Sequence, residues 1–380
     1  MKKNQLVTLG KHIDILSGCV FPSSGFNRNN GVPLIRIRDI LSGKTETYYE
    51  GSYDLKYLIK KGDLLVGMDG DFNREYWKGT DALLNQRVCK ITPNPETLDK
   101  NFLYHFLQKE LDKIHATTDV VTVKHLSVKK IQDIKIRLPS LKEQKRIAAI
   151  LDKADAIRQK REQAIKLADD FLRAKFLEMF GTPANNIHRF PKGTIRDLVD
   201  SVNYGTSAKA SIDSGEYPIL RMGNITYQGR WDFTDLKYLD LSVKEKDKYL
   251  VKEGDLLFNR TNSKELVGKT AVYEEDRPMA FAGYLIRVRP NSIGNNYYIS
   301  GYLNSIHGKI TLMNMCKSIV GMANINAQEL QNIEILIPPK HLQDEYEIIY
   351  KKIKKGLSIY DKSAMQLQLL ASNLSNKYFM

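Results

Sequence analysis

The chain has 380 residues, a 42% hydrophobic share and a formal net charge of +14. That length accommodates two ordinary domains, each with its own core. No run approaches the ~20 apolar residues of a membrane span, and Met1-Lys2-Lys3-Asn4 has no apolar run behind it to make a signal peptide. The basic excess is spread along the chain rather than held in a tail, which fits a folded protein with a polyanion partner. Cys19, Cys89 and Cys316 are far apart, suit a reducing cytoplasm and match no metal-site spacing.

Residues 1–140 read as a mixed α/β domain. Leu34-Ile35-Arg36-Ile37-Arg38 alternates apolar and basic side chains, as a half-buried strand does. Gly62-Asp63 is a turn dipeptide ahead of a short apolar strand, and Lys90-Ile91-Thr92-Pro93 ends another. A helix is expected at about Asn101 to His115, and Ile134 to Leu138 alternates again. Pro139 then sets the start of a long helix over 141–180, with no Gly or further Pro before Gly181. Its apolar stripe is Ile147, Ile150, Ala154, Ile157, Ala164, Ala168 and Phe171. Forty residues make a rod of about 60 Å, and a rod with one apolar stripe needs a partner.

The second half repeats the first. Tyr57-Leu58-Ile59-Lys60-Lys61-Gly62-Asp63-Leu64-Leu65 returns as Tyr249-Leu250-Val251-Lys252-Glu253-Gly254-Asp255-Leu256-Leu257, identical at seven of nine positions. Pro33-Leu34-Ile35-Arg36 answers Pro218-Ile219-Leu220-Arg221, and Ile131-Gln132-Asp133-Ile134 answers Leu330-Gln331-Asn332-Ile333. The order is kept while the loops change length, the mark of a duplicated domain. The second copy, 181–338, should have a strand ending at Arg287-Val288-Arg289-Pro290 and a helix at about Tyr297 to Thr311. Ile337-Pro338-Pro339 opens a second rod over 339–380, with a near-heptad seam of Leu342, Tyr346, Ile349, Ile353, Leu357, Tyr360, Ala364, Leu367, Ala371, Leu374 and Tyr378. Gly356 weakens it locally by about 1 kcal/mol. The expected class is α+β: two duplicated domains separated by two long antiparallel, coiled-coil-like helices, with approximate internal two-fold symmetry.

Catalytic signatures are missing. Gly43-Lys44-Thr45 and Gly268-Lys269-Thr270 have the tail of a phosphate-cradling loop, but Arg38 and Ser263 stand where its leading Gly must be. The chain has no Asn-Pro-Pro-aromatic motif, no glycine-rich cofactor loop and no paired histidines for zinc. Asp63 and Asp255 each follow a turn glycine and read as structural. What remains is binding chemistry. Arg36, Arg38, Arg221 and Asn224 lie on or beside the repeated strand; Asn73 and Arg74 follow the first Gly-Asp-Leu-Leu element; Asn85, Gln86 and Arg87 form a cluster; Asn259, Arg260, Asn262, Ser263 and Lys264 follow the second element. Arg reads guanine bidentately and Asn or Gln reads adenine, while all of them can bind phosphate. Two basic domains at fixed separation suit two separate half-sites on one duplex. A protein-binding structural adaptor and a self-sufficient DNA-modifying enzyme remain open as other readings.

The paired Gly-Asp-Leu-Leu elements, Pro33 to Ile40, and Leu138-Pro139-Ser140-Leu141-Lys142-Glu143-Gln144-Lys145-Arg146-Ile147 together resemble the specificity subunits of type I restriction-modification systems. The second junction keeps its prolines and Gln343 but lacks the Glu-Gln pair. The resemblance implies that residues 1–140 and 181–338 are target-recognition domains, each reading half of a split asymmetric DNA site. It implies that the helices at 141–180 and 339–380 set the spacing and dock two modification subunits. Those subunits would hold S-adenosylmethionine and methylate adenine, and restriction subunits would add ATP- and Mg²⁺-dependent translocation and cleavage. The chain itself would hold no cofactor and catalyse nothing.

Overall fold

The computed structural model describes residues 6–118, 124–319 and 321–379; of these, the side chains at 317–319, 358–365, 367–368, 374–375 and 377–379 are outside the description. The helices are α1 (Lys100–Ala116), α2 (Val128–Gln132), α3 (Leu141–Phe180), α4 (Val243–Tyr249), α5 (Asn296–Asn304), α6 (Ile306–Met315), α7 (Ala327–Gln331) and α8 (Lys340–Phe379). Contacts divide the chain into one unit of residues 1–161 with 362–380 and a second of residues 162–361.

In the first unit, Leu6–Thr8 pairs antiparallel with Lys135–Arg137. A four-stranded sheet runs Ile13–Ser17, Val88–Pro93, Leu64–Gly67, Arg74–Tyr76, with antiparallel neighbours throughout. A five-stranded sheet runs Phe26–Asn27, Tyr48–Tyr49, Val32–Ile35, Ala82–Leu84, Leu58–Ile59, and its Leu34–Leu83 pairing is parallel. Asp99 starts α1 by accepting from the backbone N–H groups of Asn101 and Phe102. Phe102, Leu103, Phe106, Leu107 and Leu111 then recur at helical spacing and bury against Leu64, Val66, Cys89 and Ile91, with Ile147, Ala148 and Leu151 of α3 in the same core. Cys89 is wholly enclosed there, and burial pushes its thiol up to about 12, so it is inert.

The second unit has the same plan. Lys192–Thr194 pairs with Glu334–Leu336, one sheet runs Val199–Tyr204, Leu285–Pro290, Leu256–Asn259, Thr270–Val272, and another runs Lys237–Leu239, Tyr217–Leu220, Met279–Phe281, Leu250–Val251. Again one pairing of that last sheet, Ile219 with Ala280, is parallel. The repeated Gly-Asp turns are superimposable in their bonding. Gly62 and Gly254 have φ of +91° and +88°, a conformation that only glycine adopts at no cost. Asp63 accepts from Lys60 N–H and Asp255 from Lys252 N–H, both at 2.9 Å, which is the structural role expected of them. Asp255 also takes a forked contact from Arg289, at 2.7 and 3.1 Å.

Three expectations are corrected. The strand at Leu34 stops at Ile35: Asp39 is nearly buried and accepts from Arg36 N–H, which turns Ile37–Asp39 into a single 3₁₀ turn, and Asn224 does the same to Arg221 and Met222–Asn224. The helix expected at Tyr297 to Thr311 is two helices. Ser305 is extended and caps α6 by accepting from Gly308 N–H, and Gly308 sits so close to the Tyr302 carbonyl that any side chain there would collide with it. Phe171 is 49% exposed, while Phe176 and Phe180 are buried with Tyr298 and Tyr346. Steps averaging 3.5 drift by about 20° per heptad on a straight helix, enough over three heptads to carry Phe171 off the buried face.

On α8, Tyr346 is buried, Leu342 packs on the same core, and Ala371 packs against the core of the first unit. The seam positions Tyr360, Ala364, Leu367, Leu374 and Tyr378 lie outside the described side chains. Gln144 and Gln343, one turn into α3 and α8, are each 0% exposed. Gln144 donates to the carbonyls of Thr97 and Pro139 and accepts from Asp99 N–H. Gln343 donates to the carbonyls of Ile293 and Pro338. Each glutamine thus bolts a long helix to the loop that precedes α1 or α5.

Candidate nucleic-acid interface

The strand after each Gly-Asp turn leads into the same backbone crossing. In the first unit, Met68 N–H donates to Arg87 O and Leu126 N–H donates to Met68 O, both at 2.8 Å. In the second, Arg260 N–H donates to Tyr284 O at 3.0 Å and Ile325 N–H donates to Arg260 O at 2.8 Å. Three segments far apart in sequence meet at each crossing, and buried residues of the sheet fix it from behind. The side chains carried at equivalent places differ. Met68-Asp69, Arg87 and His125 stand in one unit where Arg260-Thr261, Tyr284 and Asn324 stand in the other.

In the first unit, Arg87 is exposed, has φ of +74° and lies 3.3 Å from Asp69. A non-glycine residue in that conformation carries about 1–3 kcal/mol of strain and marks a position held for a purpose. Asp69 also takes a 2.6 Å bond from His125, so one carboxylate braces two groups able to donate to a base edge or a phosphate. Gln86 is exposed beside them, and Asn85 spends its side-chain oxygen on Gln86 N–H. Arg38 is exposed at the end of its turn. Arg36 is half-buried with its guanidinium 5.3 Å from the Phe26 ring centroid. Arg74 lies 3.4 Å over Tyr104, which stacks on Tyr76, so its charge is spent within the fold rather than presented. Asn73 is half-buried and its carbonyl accepts from Gly67 N–H.

In the second unit, Arg260 lies 4.9 Å over the ring of Tyr204, and Tyr204 and Tyr284 are both exposed. Thr261–Asn262 pairs with Met322–Asn324, and Thr261 donates to the Asn324 side chain at 2.8 Å. Asn262 spends its side-chain oxygen on Ser263 N–H, Ser263 holds the turn at Leu266 and Val267, and Lys264 is exposed. Arg221 is paired with Asp235 at 2.8 Å. Two candidates are withdrawn from the surface. Asn224 is buried and gives its amide to the carbonyls of Asp232 and Asp235. Asn259 is 0% exposed, and neither of its side-chain polar atoms has a partner among the described residues.

The structure therefore gathers Asn85, Gln86 and Arg87 with Asp69 and His125, and gathers Arg260, Asn262, Ser263 and Lys264 with Tyr204, Tyr284 and Asn324. It leaves Arg36, Arg74, Arg221 and Asn224 engaged within the fold and Asn259 enclosed in its sheet. His125, Tyr204, Tyr284 and Asn324 escape a reading of the sequence. Counting six residues back from Ile131 and Leu330 does pair His125 with Asn324, but nothing in that count says that they reach the loops of another segment. Exposed guanidinium, amide, imidazole and phenol groups make a surface that donates and stacks. Among the described residues no group of three or more His, Cys, Asp or Glu could hold a metal, and no helix is long and apolar enough to cross a membrane.

A family model described as the type I restriction modification DNA specificity domain matches residues 1–167 and again 190–371. The chain is similar to the type I restriction enzyme EcoBI specificity subunit of Escherichia coli, 29% identical across 97% of this chain and 82% of that one. It is 23% identical to the EcoKI specificity subunit of Escherichia coli K12, across 92% of this chain and 80% of that one. Among solved structures, the S subunit of a type I restriction-modification system from M. genitalium has a TM-score of 0.65 at 15% identity, covering 98% of this chain and 95% of that one. A chain from a study of type I system assembly and conformational transition has a TM-score of 0.51 at 17% identity, covering 100% and 98%.

Proposed function

The chain belongs to the type I restriction-modification DNA specificity family, and on that premise we propose that it is the sequence-reading, non-catalytic subunit of such a system. Each unit reads one half of a bipartite, asymmetric site on double-stranded DNA. α3 and α8 pair antiparallel, fix the distance between the two readings and dock two modification subunits. S-adenosylmethionine, ATP and Mg²⁺ belong to partner subunits, methyl transfer to adenine is the work of the modification subunits, and a restriction subunit completes the complex in the cytoplasm.

The observation that carries this reading is the repeated backbone crossing. Met68 and Arg260 are held by the same two hydrogen bonds, while the side chains displayed around them are unlike. One scaffold with two side-chain sets is what two different half-sites require. Support for the paired rods comes from each unit separately: Phe176 and Phe180 at the end of α3 contact Tyr346 at the start of α8, and Ala371 near the end of α8 packs on the core that holds Ile147 near the start of α3.

The test is a map of methylated adenines in a strain with and without the chain. A chain-dependent motif of two unrelated halves, separated by a fixed spacer, is expected. One contiguous motif, or none, would overturn the reading. Methyl incorporation into DNA by the purified chain alone would identify an enzyme instead.

A further inference from the structure

Among the described residues, one face of the second unit has no counterpart in the first. Because Ser305 restarts the helix, α6 presents Ile306, Ile310 and Met313 outward at steps of four and three, 69%, 48% and 42% exposed. With Tyr227 and Val267 they line a groove of about 360 Å³ whose charged groups are Arg173, Lys264 and Lys309 against one carboxylate, Glu265. The Lys309 ammonium is closed off from solvent, 4.8 Å from the Tyr227 ring centroid, and has no hydrogen-bond partner among the described residues. Burial, with Arg173 and Lys269 nearby, draws it down to about 8. In the first unit the corresponding helix, α1, runs unbroken. Its outer side at this level carries Lys109, Glu110, Asp112 and Lys113, with Lys113 and Glu110 paired at 2.6 Å. That face has no need of a cover.

We propose that the groove receives an amphipathic helix of a modification subunit, its apolar side on Ile306, Ile310 and Met313 and its carboxylates facing Arg173 and Lys264, with the enclosed charge of Lys309 behind them. A protein helix fits better than a DNA backbone because three aliphatic side chains offer nothing to phosphate, whereas an apolar helix face covers them. An acidic helix fits because three cations, Arg173, Lys264 and Lys309, stand against the single carboxylate of Glu265. The modification subunit is the source because Arg173 belongs to α3, so the groove continues the helix to which the proposed function assigns that subunit. The inference rests on that reading. Since the described residues of the first unit form no such face, the two modification subunits are held with unequal strength.

The test titrates the full chain with its cognate modification subunit and counts bound copies by native mass spectrometry, with hydrogen exchange over residues 306–315. The wild type is expected to bind two copies, and exchange at 306–315 slows on assembly. Ile310→Glu and Lys309→Glu are expected to weaken one of the two binding events at least tenfold and spare the other. Lys309→Arg and, in the first unit, Lys113→Glu leave both events unchanged. Because Ile310 is half exposed, its variant folds even if the buried charge reversal does not. Unchanged binding of both copies by Ile310→Glu overturns the proposal. So does slowed exchange on adding DNA alone, which would give the groove to DNA, or self-association of the chain that Ile310→Glu abolishes, which would give it to a second copy. A wild type that binds no modification subunit defeats the underlying functional reading itself.

Discussion

Arg87 and Arg260 occupy neighbouring corners of the same crossing in different units, and each is steadied by one neighbour: Asp69 at 3.3 Å for Arg87, the Tyr204 ring at 4.9 Å for Arg260. Truncating either should relax one half-site and leave the other intact. Arg260→Ala is expected to lower discrimination in the second unit's half-site by about 1–3 kcal/mol, roughly five- to a hundred-and-fifty-fold, while Arg87→Ala acts on the first unit's half-site alone. Competition binding to singly substituted sites measures both, and a loss spread evenly over both half-sites would mean phosphate contact instead. Lys309 gives a stability prediction with a definite sign. Its folded pKa of about 8 lies below the ordinary value of 10.5, so between those values the unfolded chain binds the extra proton and stability rises with pH. Lys309→Met should therefore stabilise the isolated chain at pH 7, by about 1–3 kcal/mol, and the advantage should shrink as pH passes from 8 toward 10.5. Denaturant melts at pH 7 and pH 10 check this.

At the scale of elements, the two glutamines explain how a reader can be fixed to a long helix. Gln144 satisfies two carbonyls and one N–H, whereas Gln343 satisfies two carbonyls and its own oxygen has no partner among the described residues. A buried backbone group that loses its partner costs about 1–3 kcal/mol. Gln144→Leu should consequently destabilise its unit more than Gln343→Leu does, and urea melts of the two variants give the order. The second junction, which lacks the Glu-Gln pair, still has its glutamine donating to two carbonyls as Gln144 does, so the residue missing from the motif is not the one that makes the joint. The sequence pattern placed the start of α3 at Leu141 and that of α8 within one residue of Lys340, because Pro139 and Pro338-Pro339 stop any helix from extending backward. It could not show what Gln144 touches, since Thr97 and Asp99 arrive from a loop more than forty positions earlier.

For the molecule as a whole, the proposed function makes α3 a ruler. Four residues inserted near Ala164 lengthen α3 by about 6 Å. The expected result is a changed spacer tolerance with both half-site sequences kept, read from methylated-adenine maps; altered half-site sequences would count against the ruler. Exchange of residues 182–336 for the equivalent stretch of a relative should rewrite one half-site and no more. Both predictions depend on duplication, and the matching order of the four-stranded sheets, with a parallel strand pairing at Leu34–Leu83 in one unit and Ile219–Ala280 in the other, supplies its structural counterpart.

Periodicity, proline placement and internal similarity belong to the sequence, and they were enough to place two long helices, a doubled mixed α/β plan and the structural role of Asp63 and Asp255. These are local or self-comparing signals, set by helix geometry, by turn chemistry and by the order of residues. Which polar side chains face outward was a different matter. Arg74 and Arg260 look alike in sequence, yet one is stacked within the fold on Tyr104 and the other lies among exposed tyrosines. Asn259 has the composition of a reading loop and is wholly buried. Only tertiary structure decides such cases, because exposure depends on segments brought from far along the chain, and no spacing within a single stretch records which of them will arrive.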